Sequence, residues 1–198
     1  MFMKHLILYS AAMFAIISIA ACDRRPDVEG SWQGAPQRLD LAQASTAMAT
    51  PAITFRADST VTIMSAINLT EPMPQSQSPD APYQISISAI ATAEGRWQYD
   101  PSDDDEIIIT INPDNVSVSV DTDAVTFAQN MLTGSQTPAV DSLRPQLAEY
   151  YRRMLTPAMQ AEFAAYRRLE DVEVKSGVLK FEILDRDIIT MTATPAMP

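Results

Sequence analysis

The chain has 198 residues, of which 14 are basic and 25 acidic, with one histidine and one cysteine, giving a net charge of −11 at neutral pH. A surface this acidic repels nucleic acid and anionic headgroups, which excludes phosphate-backbone binding. The five glycines, at positions 30, 34, 95, 134 and 177, form no Gly-rich phosphate loop or dinucleotide fingerprint.

Met1 to Cys22 has a short basic start at Lys4 and His5, an apolar run from Leu6 to Ile19, and two alanines before the cysteine. This is the layout of an export signal, too short and wrongly flanked for a stable transmembrane helix. Ile19-Ala20-Ala21-Cys22 resembles the lipobox of bacterial lipoproteins: an aliphatic residue, two small residues and the acylated cysteine. The resemblance implies diacylglycerol on the Cys22 thiol, cleavage before Cys22, and a further fatty acyl chain, commonly palmitate, on the freed amine. At about 0.8 kcal/mol per buried methylene, two or three such chains hold a domain on a membrane without spanning it. The expected organisation is a signal at 1–21, a lipidated tether at 22–27 and one domain at 28–198. The expected location is the cell envelope, on a periplasmic or cell-surface face.

Cleavage there also changes the chemistry. It removes His5 and Lys4, and acylation blocks Cys22, so the mature chain has neither imidazole nor free thiol and a charge of 13 − 25 = −12. Ser-His-Asp and Cys-His catalysis, histidine-based zinc or copper sites and disulfides all fall away. The expectation is therefore a non-enzymatic protein with no catalytic, cofactor or metal residues.

From Val28 to about Val120 the apolar period is two, the signature of half-buried strands. Ile53, Phe55, Val61 and Ile63 share one face of a hairpin whose connection is Ala57 to Ser59. Thr70 to Pro82 carries four prolines and reads as a loop. Tyr83 to Tyr99 alternates as one bent strand or two strands broken at Glu94-Gly95. Asp100 to Asp105 reads as a turn, Glu106 to Ile111 as a strand, Asn112 to Asn115 as a second turn, and Val116 to Val120 as another strand. Asp100, Ser102, Asp104 and Glu106 alternate oxygen ligands, but the chain lacks a glycine at the sixth loop position and has Ile111 at the twelfth, so the calcium-loop pattern fails.

A helical insertion is expected over about 121–171, built from two or three helices. Asp121 or Asp123 would cap the first, carrying Val125, Phe127, Met131 and Leu132. Asp141 or Ser142 would start a second with Leu147, Tyr150, Tyr151 and Leu155 on one stripe. Thr156-Pro157 reads as the start of a third, with Met159, Phe163, Tyr166 and Leu169. These aromatics are expected to pack on the sheet. Period two returns with Val172, Val174, Leu179, Phe181 and Ile183, and again from Ile188 to Thr194. Glu94, Arg96, Asp185 and Asp187 have no spacing that singles them out for acid-base work.

Gly30-Ser31-Trp32, the Phe55 to Thr60 strand and turn, and Gly95-Arg96-Trp97 together resemble the lipocalin-like domains of small bacterial lipoproteins. The resemblance covers about 28–120 and 171–194, and it implies an antiparallel barrel closed at one end by Trp32. The expected fold class is mostly β, a lipocalin-like barrel or barrel-like sheet with the helical insertion before the last strands. Such a barrel would bind a small apolar ligand, with Ile87, Ile109 and Val118 lining its cavity. The alternative is an assembly lipoprotein with a filled core that docks an envelope protein through the insertion.

Overall fold

The computed structural model describes residues 25–41, 46–72, 84–128, 143–183 and 188–195. The signal, Cys22, and the expected turn at Asp185 to Asp187 lie outside them, as do most of the proline-rich loop and the expected helix start at Asp141 or Ser142. The described strands are β1 Gly30–Gly34, β2 Gln37–Arg38, β3 Thr46–Phe55, β4 Thr60–Pro72, β5 Gln84–Asp100, β6 Asp103–Ile111 and β7 Ser117–Ala128. The helix α1 Arg144–Ala165 follows, then β8 Arg168–Lys175, β9 Val178–Ile183 and β10 Ile189–Thr194.

β1 pairs with β10 on one edge and β3 on the other, so the order β1-β10-β9-β8-β6-β5-β4-β3 returns to β1. The fold is a closed eight-stranded antiparallel barrel with a helical insertion before its last strands. β2 and β7 lie outside the ring, β2 on the upper edge of β3 and β7 on the upper edge of β5. Closure leaves the ring strands no open edge to template aggregation.

The β3–β4 hairpin has the expected register, with Ile53 opposite Ile63 and Phe55 opposite Val61, all four buried. Its turn is held by Ser59, at φ +64, and by the Asp58 carboxylate, which accepts from the Thr60 amide at 3.0 Å. The Thr60 hydroxyl also donates to Asp58, at 2.6 Å, and this bond, then the amide's, holds the Asp58 carboxyl below its ordinary value. This hairpin turn, the β5–β6 turn and the β8–β9 turn mark one end of the barrel, its base. Both tryptophans brace it: the Trp32 indole N–H donates to the Val28 carbonyl at 2.8 Å, and that of Trp97 to the Arg56 carbonyl at 3.0 Å.

β5 is a single strand that changes partner. Its first half, to Thr92, pairs with β7, and its second half, from Gly95, pairs with β6. Asn112 to Asn115 does not reverse the chain: β6 and β7 both run antiparallel to β5, joined by a short 3-10 turn at Pro113–Asn115. The Asn112 side chain accepts from the Asp114 amide at 3.1 Å, and Pro113 has no N–H to give a ladder.

The first expected helix is corrected here. Asp121 to Ala128 is strand, with Val125 opposite Ile87 and Phe127 opposite Ile85. The second and third expected helices are one continuous α1, and Pro157 lies inside it. Ala148, Tyr151, Leu155, Met159 and Phe163 form an unbroken buried stripe through the proline. Burying each large member contributes about 2 kcal/mol, which offsets the roughly 3 kcal/mol cost of an internal proline. Thr156 Oγ1 donates to the Arg152 carbonyl at 2.7 Å within the same turn. The helix ends at Tyr166, so Leu169 belongs to β8, opposite Ile107.

Candidate functional site

Inward positions of β3 and β4 change size along the barrel. Near the base they are Ile53, Phe55, Val61 and Ile63, all buried. Higher up, β3 presents Pro51, Ala49 and Ala47, while on β4 the small Ser65, directly opposite Pro51, interrupts a row that continues with Ile67 and Leu69. α1 crosses this upper half on the inner side, packed on β7 and touching β5, and it too presents small residues, Ala158 and Ala161. Small faces small, and the gap between them is a cleft of about 350 Å3.

Phe163 and Tyr166 form the apolar back of this cleft. Ser65, 2 % exposed, lies on its floor; among the described residues it and Asp100 are the buried polar or charged side chains. Gln37, Arg38, Asp40 and Glu162 border the mouth, where Arg38 and Asp40 form an exposed ion pair at 3.9 Å. The arrangement suits a molecule with a small apolar body and a polar end at the mouth.

A second cleft of about 250 Å3 opens on the other flank of α1, between Ile109, Ile111, Val116, Gln160 and Arg167. Gln160 Nε2 donates across it to the Pro113 carbonyl at 3.1 Å. Phe163 borders both clefts and stands between them. Of the three residues expected to line a cavity, Ile109 borders the second cleft; Ile87 and Val118 sit in the packed core and border neither.

The aromatic stripe packs on the sheet, with Tyr151, Phe163 and Tyr166 buried. Tyr150 is 42 % exposed, with its ring edge-on to Tyr151. The Tyr151 hydroxyl donates to Glu71 at the top of β4, and burial raises the Glu71 carboxyl above its ordinary value.

The acidic turn is structural. Asp100 Oδ1 accepts from the Ser102 amide at 2.8 Å and from its hydroxyl, and Arg168 spans Asp100 and Glu106. The Ser102 bonds, then Arg168, hold the Asp100 carboxyl below its ordinary value. Among the described residues no group of three or more His, Cys, Asp or Glu side chains is arranged to hold a metal ion. Glu94 and Arg96 are exposed on the outer face of β5.

Sequence reasoning missed the cleft. Its signal was the exchange of β-branched for small residues at the inward positions 49 and 65, legible only once α1 is known to cross above them. No described helix is long and apolar enough to cross a membrane. No protein-family model matches the chain, and no curated protein is similar to it.

Proposed function

We propose that this chain is a lipid-anchored lipoprotein of the bacterial cell envelope, non-enzymatic, that holds a small, mainly apolar molecule in the cleft between α1 and β3–β4. The observation that carries the reading is the cleft itself. It lies within the ~300–1,000 Å3 range of small-molecule sites, against the barrel wall, with an aromatic back, the buried hydroxyls of Ser65 and Tyr166 and a charged mouth. Two other features support it: the lipobox at Cys22 supplies the anchor, and the net charge of −11 disfavours nucleic acid.

The burial of Tyr151, Phe163 and Tyr166 argues against partner docking through the aromatic face of the insertion.

The test is purification of the native lipidated protein from its own membrane, followed by mass spectrometry of small molecules released on unfolding. An amphiphile of modest size is expected at near-stoichiometric amount, and Ala49→Phe, which fills the cleft from β3, is expected to lose it while the barrel still folds. A native protein that carries no such molecule and binds no member of an alkyl-chain series would overturn the reading.

A further inference from the structure

Ser65 is the exception in the inner row of β4. The row runs Val61, Ile63, Ser65, Ile67, Leu69, all buried, and only Ser65 brings a polar group into it. Asp100, the other buried polar or charged side chain among the described residues, is held by Ser102 and Arg168. Ser65 has no such support. Its ladder neighbours are Pro51 on β3 and Ala91 on β5, neither with a side chain that can hydrogen-bond. Among the described residues the Ser65 hydroxyl makes no hydrogen bond.

Hydroxyls on the outer face of the barrel are better served: Ser31 and Thr54 pair at 3.0 Å, and Ser88 donates to Asn68 at 3.1 Å. Those groups also have solvent beside them. Ser65, 2 % exposed, has the cleft that it borders. A buried hydroxyl without a partner costs free energy that an alanine at the same position would not. The partner must come from whatever fills the cleft.

We infer that Ser65 sets the specificity of the cleft, and that its occupant carries a neutral oxygen function, a hydroxyl or a carbonyl, at its buried end. The inference rests on the reading of the cleft as a small-molecule site and adds what the molecule presents to the floor. A serine hydroxyl both donates and accepts, so it serves an alcohol or a carbonyl equally. It cannot balance a charge. The ionisable groups that border the cleft, Arg38, Asp40 and Glu162, stand at its mouth. A carboxylate or ammonium driven to the floor would lose its water with no counter-charge beside it. A methyl group there would leave the Ser65 hydroxyl unbonded, and a site built around a hydrogen bond rejects the analogue that lacks it.

The walls leave room for this contact. Ala49, Pro51, Ala158 and Ala161 are small, so a narrow molecule reaches from mouth to floor between them, its apolar middle against Phe163. The class of occupant is thus a short amphiphile, polar at both ends and uncharged at the inner one.

Three probes of similar length test this: octanediol with a hydroxyl at each end, nonanol with a methyl in place of one hydroxyl, and azelate with a carboxylate at each end. Each is titrated calorimetrically into the full chain in lipid nanodiscs, with empty nanodiscs as the blank. Octanediol is expected to bind about ten-fold tighter than nonanol, the strength of one added hydrogen bond, and azelate to bind about ten-fold weaker than octanediol or not at all. Ser65→Ala turns the floor apolar, and in it nonanol is expected to bind at least as tightly as octanediol. Circular dichroism checks that the variant folds. Octanediol binding no tighter than nonanol to the unsubstituted chain, azelate matching octanediol, or a diol preference that survives Ser65→Ala would overturn this inference and leave the cleft as a small-molecule site. A chain that binds none of the three probes overturns the cleft reading, and the inference with it.

Discussion

Gly95 brings its backbone so close to Thr110 that a Cβ at residue 95 would stand 2.4 Å from the Thr110 carbonyl oxygen. Here β5 leaves β7 and takes up β6, so the approach fixes where the upper sheet joins the barrel. Gly95→Ala forces the two strands apart at this joint, and a loss of about 2–3 kcal/mol in urea unfolding is expected. Wild-type stability in that variant would show that the joint yields freely.

The Ser102 bonds to Asp100 predict a pH-dependent loss. The folded Asp100 carboxyl titrates below its ordinary value of 3.8, with the Ser102 hydroxyl as the first cause. A depressed carboxyl contributes stability above its unfolded value, and that contribution fades as pH falls through the folded one. Ser102→Ala should therefore lower the melting temperature at pH 7, and the gap to wild type should close in strong acid. A gap that is constant with pH would assign the effect to packing instead.

Phe163 is 1 % exposed and separates the two clefts, of about 350 and 250 Å3. Phe163→Ala should cost about 3–5 kcal/mol and join them, shifting the preferred ligand in an alkyl series toward longer chains. Phe163→Leu, milder in its cost, should move the preference in the same direction. Thermal shifts across the series read both effects, and an unchanged preference would remove Phe163 as the partition.

On the proposed lipid anchoring, Cys22→Ser removes the acceptor while leaving the described fold untouched. The variant should appear in the soluble fraction with an unaltered circular dichroism spectrum. A variant that still pellets with membranes would overturn the lipid-anchor reading.

The barrel was largely legible because its hairpins are local. Ile53 and Phe55 against Val61 and Ile63 lie within eleven residues, and the turn chemistry at Asp58 to Thr60 specifies their register. β7 was misread because its alternation slips. A register shift between Ile87 and Ala89 leaves Asp121 to Ala124 out of phase, so Val118 and Val125 fall on one face at odd separation. With period two broken, Asp121 and Asp123 resemble helix caps, and only pairing with β5 settles the strand. Pro157 misled in a similar way, since a proline that starts a helix and one carried through by a buried stripe are identical in sequence. The cleft was hidden for another reason: it is an absence of volume between segments more than ninety residues apart, Ala49 and Ala158.

The first and last ring strands are partners, Ser31 opposite Thr194 and Gly34 opposite Met191. During synthesis, then, the ring stays open until β10 has emerged, and the contact that completes it spans the largest sequence separation among the described strand pairs. Such non-local closure is slow relative to hairpin formation. On the proposed export, a chain threaded through a channel before it folds would benefit from that delay. Loss of the final strand would leave two raw edges, on β1 and β9, to find partners on neighbouring molecules.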